Sequence, residues 1–122
     1  GIRVANVPGY AENTVAEHTL SMIFALLRRT GNYHQLMRDI HDGKAALQNL
    51  YLNYRVRDVR GLQLGIIGNG PIAHRLKHIA RGVGMHAFLH DRQGTYQGAD
   101  YIPLTQLLKT SDVVAICCPL TA

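Results

Sequence analysis

Gly68, Gly70, Ala73 and Asp91 are the residues whose types and spacing fit a chemical task. They lie in the stretch L-G-I-I-G-N-G-P-I-A-H-R-L-K-H-I-A-R-G-V-G-M-H-A-F-L-H-D, from Leu64 to Asp91. A short apolar run leads into Gly68-Asn69-Gly70-Pro71-Ile72-Ala73. A helical pattern follows, then a second apolar run that stops at Asp91. Strand, glycine turn, helix, strand and acid is the order of a dinucleotide-binding βαβ unit. Gly68 suits the tight turn. Gly70 has no side chain, so the backbone there could approach a pyrophosphate. Ala73 stands in the third glycine's place and is small enough for close helix–strand packing. Pro71 suits the first helical position, and the helix that starts there offers phosphates free N–H groups and a positive dipole end. Asp91 would accept hydrogen bonds from the adenosine ribose. Its charge would oppose a 2′-phosphate, which favours NAD over NADP, although the adjacent Arg92 could receive such a phosphate.

A lone G-x-G-x-x-A is weak evidence, because glycine turns are common. Here the acid lies 91 − 70 = 21 residues after the second glycine, near the spacing of about 20 that this motif requires.

The elements that must position these residues can be read on either side. Ile2 to Val7 is short and partly β-like, and Pro8-Gly9 ends it as a turn. Thr14 to Arg29 is expected to be a long helix, with Thr14 and Glu17 as a capping box and Gly31 as its stop. Its section Leu20 to Leu27 is apolar nearly all round, so it should be buried on most faces, with a partner subunit completing the cover. Tyr33, Leu36, Met37 and Ile40 predict a second helix to His41, ended by Gly43. Ala45 to Arg60 has no clear period and is expected to be a loop. Gln63–Ile67 and Met85–Leu89 read as buried strands around a helix from Pro71 to Arg81. A polar connection covers Gln93 to Ala99. A short helix from Pro103-Leu104 to Lys109 precedes a last strand, Val113 to Cys117. This alternation predicts an α/β fold with a parallel sheet.

At 122 residues the chain should form one domain. Its 47% hydrophobic and 17% charged residues suit a globular protein. The formal charge is +5, but the basic residues are scattered and form no groove-reading stripe, so no nucleic-acid role is expected. The apolar stretches are too short to span a bilayer, and no targeting segment is visible. A soluble, cytoplasmic protein is expected. Cys117 and Cys118 are adjacent, which suits neither a disulfide framework nor a metal site. His74 and His78 stand four apart on one helix, but no third ligand is evident. No metal is expected.

Further motifs extend the picture. Gly1-Ile2-Arg3-Val4-Ala5-Asn6-Val7-Pro8-Gly9-Tyr10 with Val15-Ala16-Glu17-His18, the Leu64 to Asp91 stretch including Gly82-Val83-Gly84-Met85, Leu107-Leu108-Lys109-Thr110-Ser111-Asp112-Val113-Val114, and Cys118-Pro119-Leu120-Thr121 occur in that order. Together they resemble the NAD-binding domain of the D-isomer-specific 2-hydroxyacid dehydrogenases over nearly the whole chain. The spacing from Gly43 to Gly61 is most similar to the glycerate dehydrogenase and hydroxypyruvate reductase branch.

The resemblance implies a partial Rossmann fold, a doubly wound parallel sheet, with residues 62–122 as its mononucleotide-binding half. Residues 14–43 would be a helical dimerisation segment, making a homodimer. Gly68, Gly70, Pro71 and Ile72 would lie along the pyrophosphate of NAD(H), and Asp91 at the ribose. Cys118, Pro119 and Thr121 would line the far side of the cleft, and Val15 would lie near the nicotinamide. The family moves a hydride between NAD(H) and a D-2-hydroxy acid or 2-keto acid, with an arginine on the substrate carboxylate and a histidine–glutamate pair on the proton. The motifs that carry those residues are absent from this sequence, as is the substrate domain. No catalytic residue is therefore assigned, and the chain alone is expected to be inactive. The family's tryptophan near Ala45 is also missing. The alternative is a non-catalytic dinucleotide-binding or dimerisation module.

Overall fold

A computed structural model of the chain describes residues 1–47 and 54–119. The elements are α1 (Glu12–Arg28), α2 (Thr30–His41), β1 (Gln63–Ile67), α3 (Pro71–Gly82), β2 (His86–His90), α4 (Leu104–Thr110) and β3 (Val113–Ile116). The three strands are parallel in the order β2-β1-β3. The chain therefore moves to one side of β1 and then returns to the other. Right-handed crossovers in opposite directions put their helices on opposite faces of the sheet.

The faces follow from the register. Leu64, Ile66, Ala87, Leu89 and Ala115 share one face, where they form a buried cluster with Ala73, Leu76 and Ala80 of α3. Ala16 and Ile23 of α1 join the same cluster, with Leu20, Phe24 and Leu27 packed against it. The opposite face carries Gly65, whose missing side chain makes room for α4: a Cβ there would stand 2.4 Å from both Leu107 Cδ2 and Ser111 Oγ. Leu107 is fully buried at this contact. Asp112 closes the corner before β3, accepting from the Gln63 backbone N–H and from Arg57. These bonds hold its carboxyl below the usual carboxylate range.

The strand expectations hold to within one residue: β1 spans Gln63–Ile67 as read, β2 begins and ends one residue later, and β3 stops at Ile116. Helices α3 and α4 each run one residue beyond the expected end. The start of α1 is corrected. It begins at Glu12 after the Pro8-to-Ala11 turn, its N-cap is Ala11, and no side chain caps it. Thr14 is already inside the helix, so the Thr14/Glu17 capping box does not form. The stop is corrected too. Arg29 adopts a left-handed conformation (φ 56°), and its N–H bonds to the Ala25 carbonyl. The chain then re-enters a helix at once, with Gly31 inside α2. An αL residue closes a helix by this means even without glycine.

Ile2 to Val7 forms no strand, because no neighbouring strand pairs with it. Its apolar side chains at 2, 4 and 7 are exposed. Nor is the Leu20–Leu27 section covered all round: Met22 and Leu26 remain 50% and 63% exposed. On α2, Leu36 is buried and Tyr33 packs edge-on against Tyr54, but Met37 faces outward. The described parts of the stretch 45–60 contain no helix or strand longer than a single-residue turn, as expected of a loop.

Gly65→Ala should lower the unfolding free energy by about 1–3 kcal/mol, the usual cost of overpacking a tight contact. Gly82→Ala, where an added Cβ meets nothing, should be neutral or slightly stabilising. Urea unfolding of both variants measures the contrast.

Candidate functional site

The C-terminal ends of β1 and β3 and the N-terminus of α3 converge on one cleft. This is the switch point of the strand order, where open α/β sheets bind ligands. Gly68 makes the convergence possible. Its N–H continues the β1–β2 ladder by donating to the His90 carbonyl, while the Cys117 N–H continues the other ladder by donating to the Ile67 carbonyl. Gly68 has φ +135°, and a Cβ on it would lie 2.6 Å from the Cys117 carbonyl oxygen. The first glycine therefore permits both the turn and the close passage of β3.

Gly70 differs. It is the N-cap of α3 in extended backbone, and a Cβ added to it would meet nothing within 4 Å. Pro71 follows at the first helical position and brings no N–H. The His74 N–H is bonded to the Gly70 carbonyl, which leaves the N–H groups of Ile72 and Ala73 as the first-turn donors. Ala73 is fully buried, so its small size serves the helix–sheet contact.

The cleft encloses about 780 Å³, within the range of ligand pockets. Gly68, Asn69, Gly70, Pro71 and Ile72 line its floor, Ile116, Cys117, Cys118 and Pro119 one wall, and Asp91, Arg92, Gln93 and Tyr96 the other. Val15 and Thr19 reach it because α1 lies across α3. Of the nine residues singled out in the sequence, eight border this one space: Val15, Gly68, Gly70, Pro71, Ile72, Asp91, Cys118 and Pro119. Thr121 lies outside the described residues.

Asp91 is placed at the end of β2, but its carboxylate already has partners. Oδ1 accepts from the Gln93 N–H at 3.2 Å, and Oδ2 from those of Thr95 and Tyr96 at 2.9 and 3.2 Å. Partial burial raises its pKa, but these three donors and the nearby His90 outweigh that, so the carboxyl titrates below its ordinary range. A carboxylate has about four acceptor positions, so Oδ1 retains capacity for a further donor. The acid thus shapes the turn beside it as well as facing the cleft. Burial, with Cys118 adding to it, pushes the Cys117 thiol up and keeps it protonated. Both cysteines are free.

Sequence reading did not single out Asn69 or Tyr101. The Tyr101 hydroxyl donates to Asn69 Oδ1 at 2.7 Å, and His74 Nε2 lies 2.9 Å from the same oxygen. The partner of His74 is therefore the glycine turn, and among the described residues no group of three or more His, Cys, Asp or Glu side chains could hold a metal. Tyr101 is steadied in turn. Its backbone bridges to Leu89, its ring stacks on Tyr96, and neighbouring Asp100 pairs with Lys77 and Arg81 of α3. The Tyr101–Asn69 contact spans 32 residues and left no local pattern to read.

The chain matches the family "D-isomer specific 2-hydroxyacid dehydrogenase, NAD binding domain" over residues 20–122. It belongs to that family. It is 36% identical to a 2-hydroxyacid dehydrogenase of Haemophilus influenzae, over 99% of this chain and 38% of the relative. It is 34% identical to glycerate dehydrogenase of Methylorubrum extorquens, over 99% of this chain and 37% of that protein. The apo-structure of D-lactate dehydrogenase from Escherichia coli superposes with a TM-score of 0.74 at 31% identity, covering 99% of this chain and 38% of that one. The chain thus spans little more than a third of the length of these relatives. The α/β expectation and the dehydrogenase resemblance both hold. Among the described residues, no helix is long and apolar enough to cross a membrane.

Asp100 offers a pH-dependent test of the framework that holds Tyr101. Hydrogen bonds from Arg81 and then Lys77 lower its carboxyl from 3.8 to about 2. Below about pH 4 the unfolded chain takes up this proton before the folded chain does, so its contribution is full above that pH and fades as pH falls towards 2. Asp100→Asn should cost about 1 kcal/mol at pH 7, a partly exposed ion pair being screened by solvent. The deficit should shrink between pH 4 and 2 in parallel chemical-denaturation curves.

Proposed function

We propose that this chain is the cofactor-binding portion of an NAD-dependent dehydrogenase that interconverts a 2-keto acid, such as hydroxypyruvate or glyoxylate, with its D-2-hydroxy acid. The observation that carries the reading is the open space at Gly70. Neighbouring protein atoms explain the absence of a side chain at Gly65 and Gly68, whereas nothing among the described residues crowds Gly70. A pyrophosphate resting on the turn would.

In this reading Gly68, Gly70, Pro71 and Ile72 follow the pyrophosphate, and the first-turn N–H groups and dipole of α3 neutralise it in part. Asp91 offers its spare acceptor capacity to the adenosine ribose and repels a 2′-phosphate. Cys118, Pro119 and Thr121 close the adenosine side, and Val15 lies towards the nicotinamide. Bound NAD(H) would supply the hydride chemistry, and the protein its position and electrostatic surroundings. The substrate carboxylate and the proton would be handled by groups outside this sequence, so this chain by itself should turn nothing over.

Residues 62–122 act as the mononucleotide-binding half and residues 14–43 as an assembly element. Met22 and Leu26, one turn apart on α1 and both exposed, support a homodimer contact there, since exposed apolar side chains on one helix face favour a partner. A cytoplasmic setting agrees with the free cysteine pair.

NADH titration by calorimetry tests the reading directly: saturable binding is expected. Gly70→Ala should cost no more than about 1 kcal/mol in stability, the usual penalty for alanine over glycine at an N-cap, yet weaken NADH at least tenfold. Equal NADH affinity in parent and variant would remove the pyrophosphate from Gly70. Asp91→Asn keeps one acceptor oxygen for the turn but loses the charge, so the preference for NADH over NADPH should narrow in competition titrations.

A further inference from the structure

We propose that the Asn69 side chain is a donor to the cofactor pyrophosphate, its amide locked in one orientation by Tyr101 and His74. The proposal rests on the dinucleotide reading above and adds residues to it. Asn69 lies between the two glycines of the turn and lines the cleft. An amide side chain has one acceptor end and one donor end, and in solution it can turn either towards a ligand. Here the Tyr101 hydroxyl donates to Oδ1 at 2.7 Å. His74 Nε2 lies 2.9 Å from the same oxygen and donates to it when the ring carries its proton there. These two contacts make Oδ1 the inward end. The Nδ2 protons are then the polar groups Asn69 has left, and among the described residues no partner takes them. A flipped amide would need the Tyr101 hydroxyl and His74 Nε2 both to accept instead, which a His74 protonated at Nε2 does not allow.

Tyr101 is a positioning residue in this scheme, since it acts through Asn69. Its hydroxyl stays protonated: burial, followed by the negative field of Tyr96, Asp91 and Asp100, pushes its pKa up. Its place is fixed by the bridge to Leu89, the stack on Tyr96 at 5.9 Å between centroids, and the ion pairs of Asp100 to α3. These contacts tie the turn to the segment after β2, so the phosphate donor and the ribose-facing Asp91 are held in one frame.

A double-mutant cycle on the purified protein, read by NADH and adenosine titration, tests the scheme. Asn69→Ala should weaken NADH about tenfold, the scale of one lost hydrogen bond to a charged group. Tyr101→Phe, which keeps the ring stack, should weaken it about threefold by freeing the amide, a smaller loss than removing the donor itself. The double variant should bind no more weakly than Asn69→Ala, because Tyr101 has nothing left to orient. Adenosine, which lacks the pyrophosphate, should bind all of them alike. Asn69→Asp retains the acceptor for Tyr101 but faces the phosphate with a charge, so it should bind NADH more weakly than Asn69→Ala. It also serves as the second probe should the alanine variant fold poorly. Additive losses, equal losses for adenosine, or no loss in any variant would overturn the assignment while leaving NADH binding by the parent intact. A parent that does not bind NADH would overturn the dinucleotide reading, and this proposal with it.

Discussion

The close passage of β3 beside Gly68 is the constraint on which the site depends. The two outer strands are hydrogen-bonded to β1 on opposite sides up to its last residue, and both ladders continue into the turn through Gly68 and Cys117. At that point β1 must leave the sheet and enter α3. A side chain on Gly68 would strike the Cys117 carbonyl. Backbone cannot yield as the tip of a flexible side chain can, so β3 would have to move away. Moving β3 displaces Cys118 and Pro119, one wall of the cleft. One glycine thus sets both the sheet and the width of the site.

The three glycines at 65, 68 and 70 show why residue type alone does not give a residue's reason. Gly65 leaves room for the buried Leu107 of α4. Gly68 leaves room for β3 and adopts a backbone conformation that side chains disfavour. Gly70 adopts ordinary extended backbone beside open space. The first two are demands of the fold and the third is not. Stability and binding can therefore be separated along a motif that looks uniform in sequence.

Much of the sheet and its site was legible because the signals are local. The apolar runs at 63–67 and 85–89, Pro71 at the helix start and the 21-residue step from Gly70 to Asp91 each lie within one βαβ unit. Their physics is that of adjacent residues. The start of α1 was less legible. Thr14 and Glu17 have capping chemistry, but the turn at Pro8 to Ala11 had already set the helix in motion at Glu12, leaving the Thr14 hydroxyl with no helix start to cap. The Gly31 stop failed for a related reason. Arg29 took the left-handed conformation that glycine usually supplies, and so two helices meet there without a loop.

What local pattern could not show is the support behind the site. Asp91 reads as an acid aimed at a ligand, yet three backbone donors from the next five residues also fold around it. That arrangement depends on the path of residues 92–96, which carries no periodicity. Tyr101 reaches Asn69 across 32 residues, and it gets there through Asp100, whose ion-pair partners lie on α3. Helix α3 therefore presents its N-terminus to the cleft while its later turns hold the segment that braces that same N-terminus. The closed circuit, from glycine turn to helix to Asp100 to Tyr101 and back to Asn69, braces the floor of the cleft with contacts that the glycine backbone alone would not make.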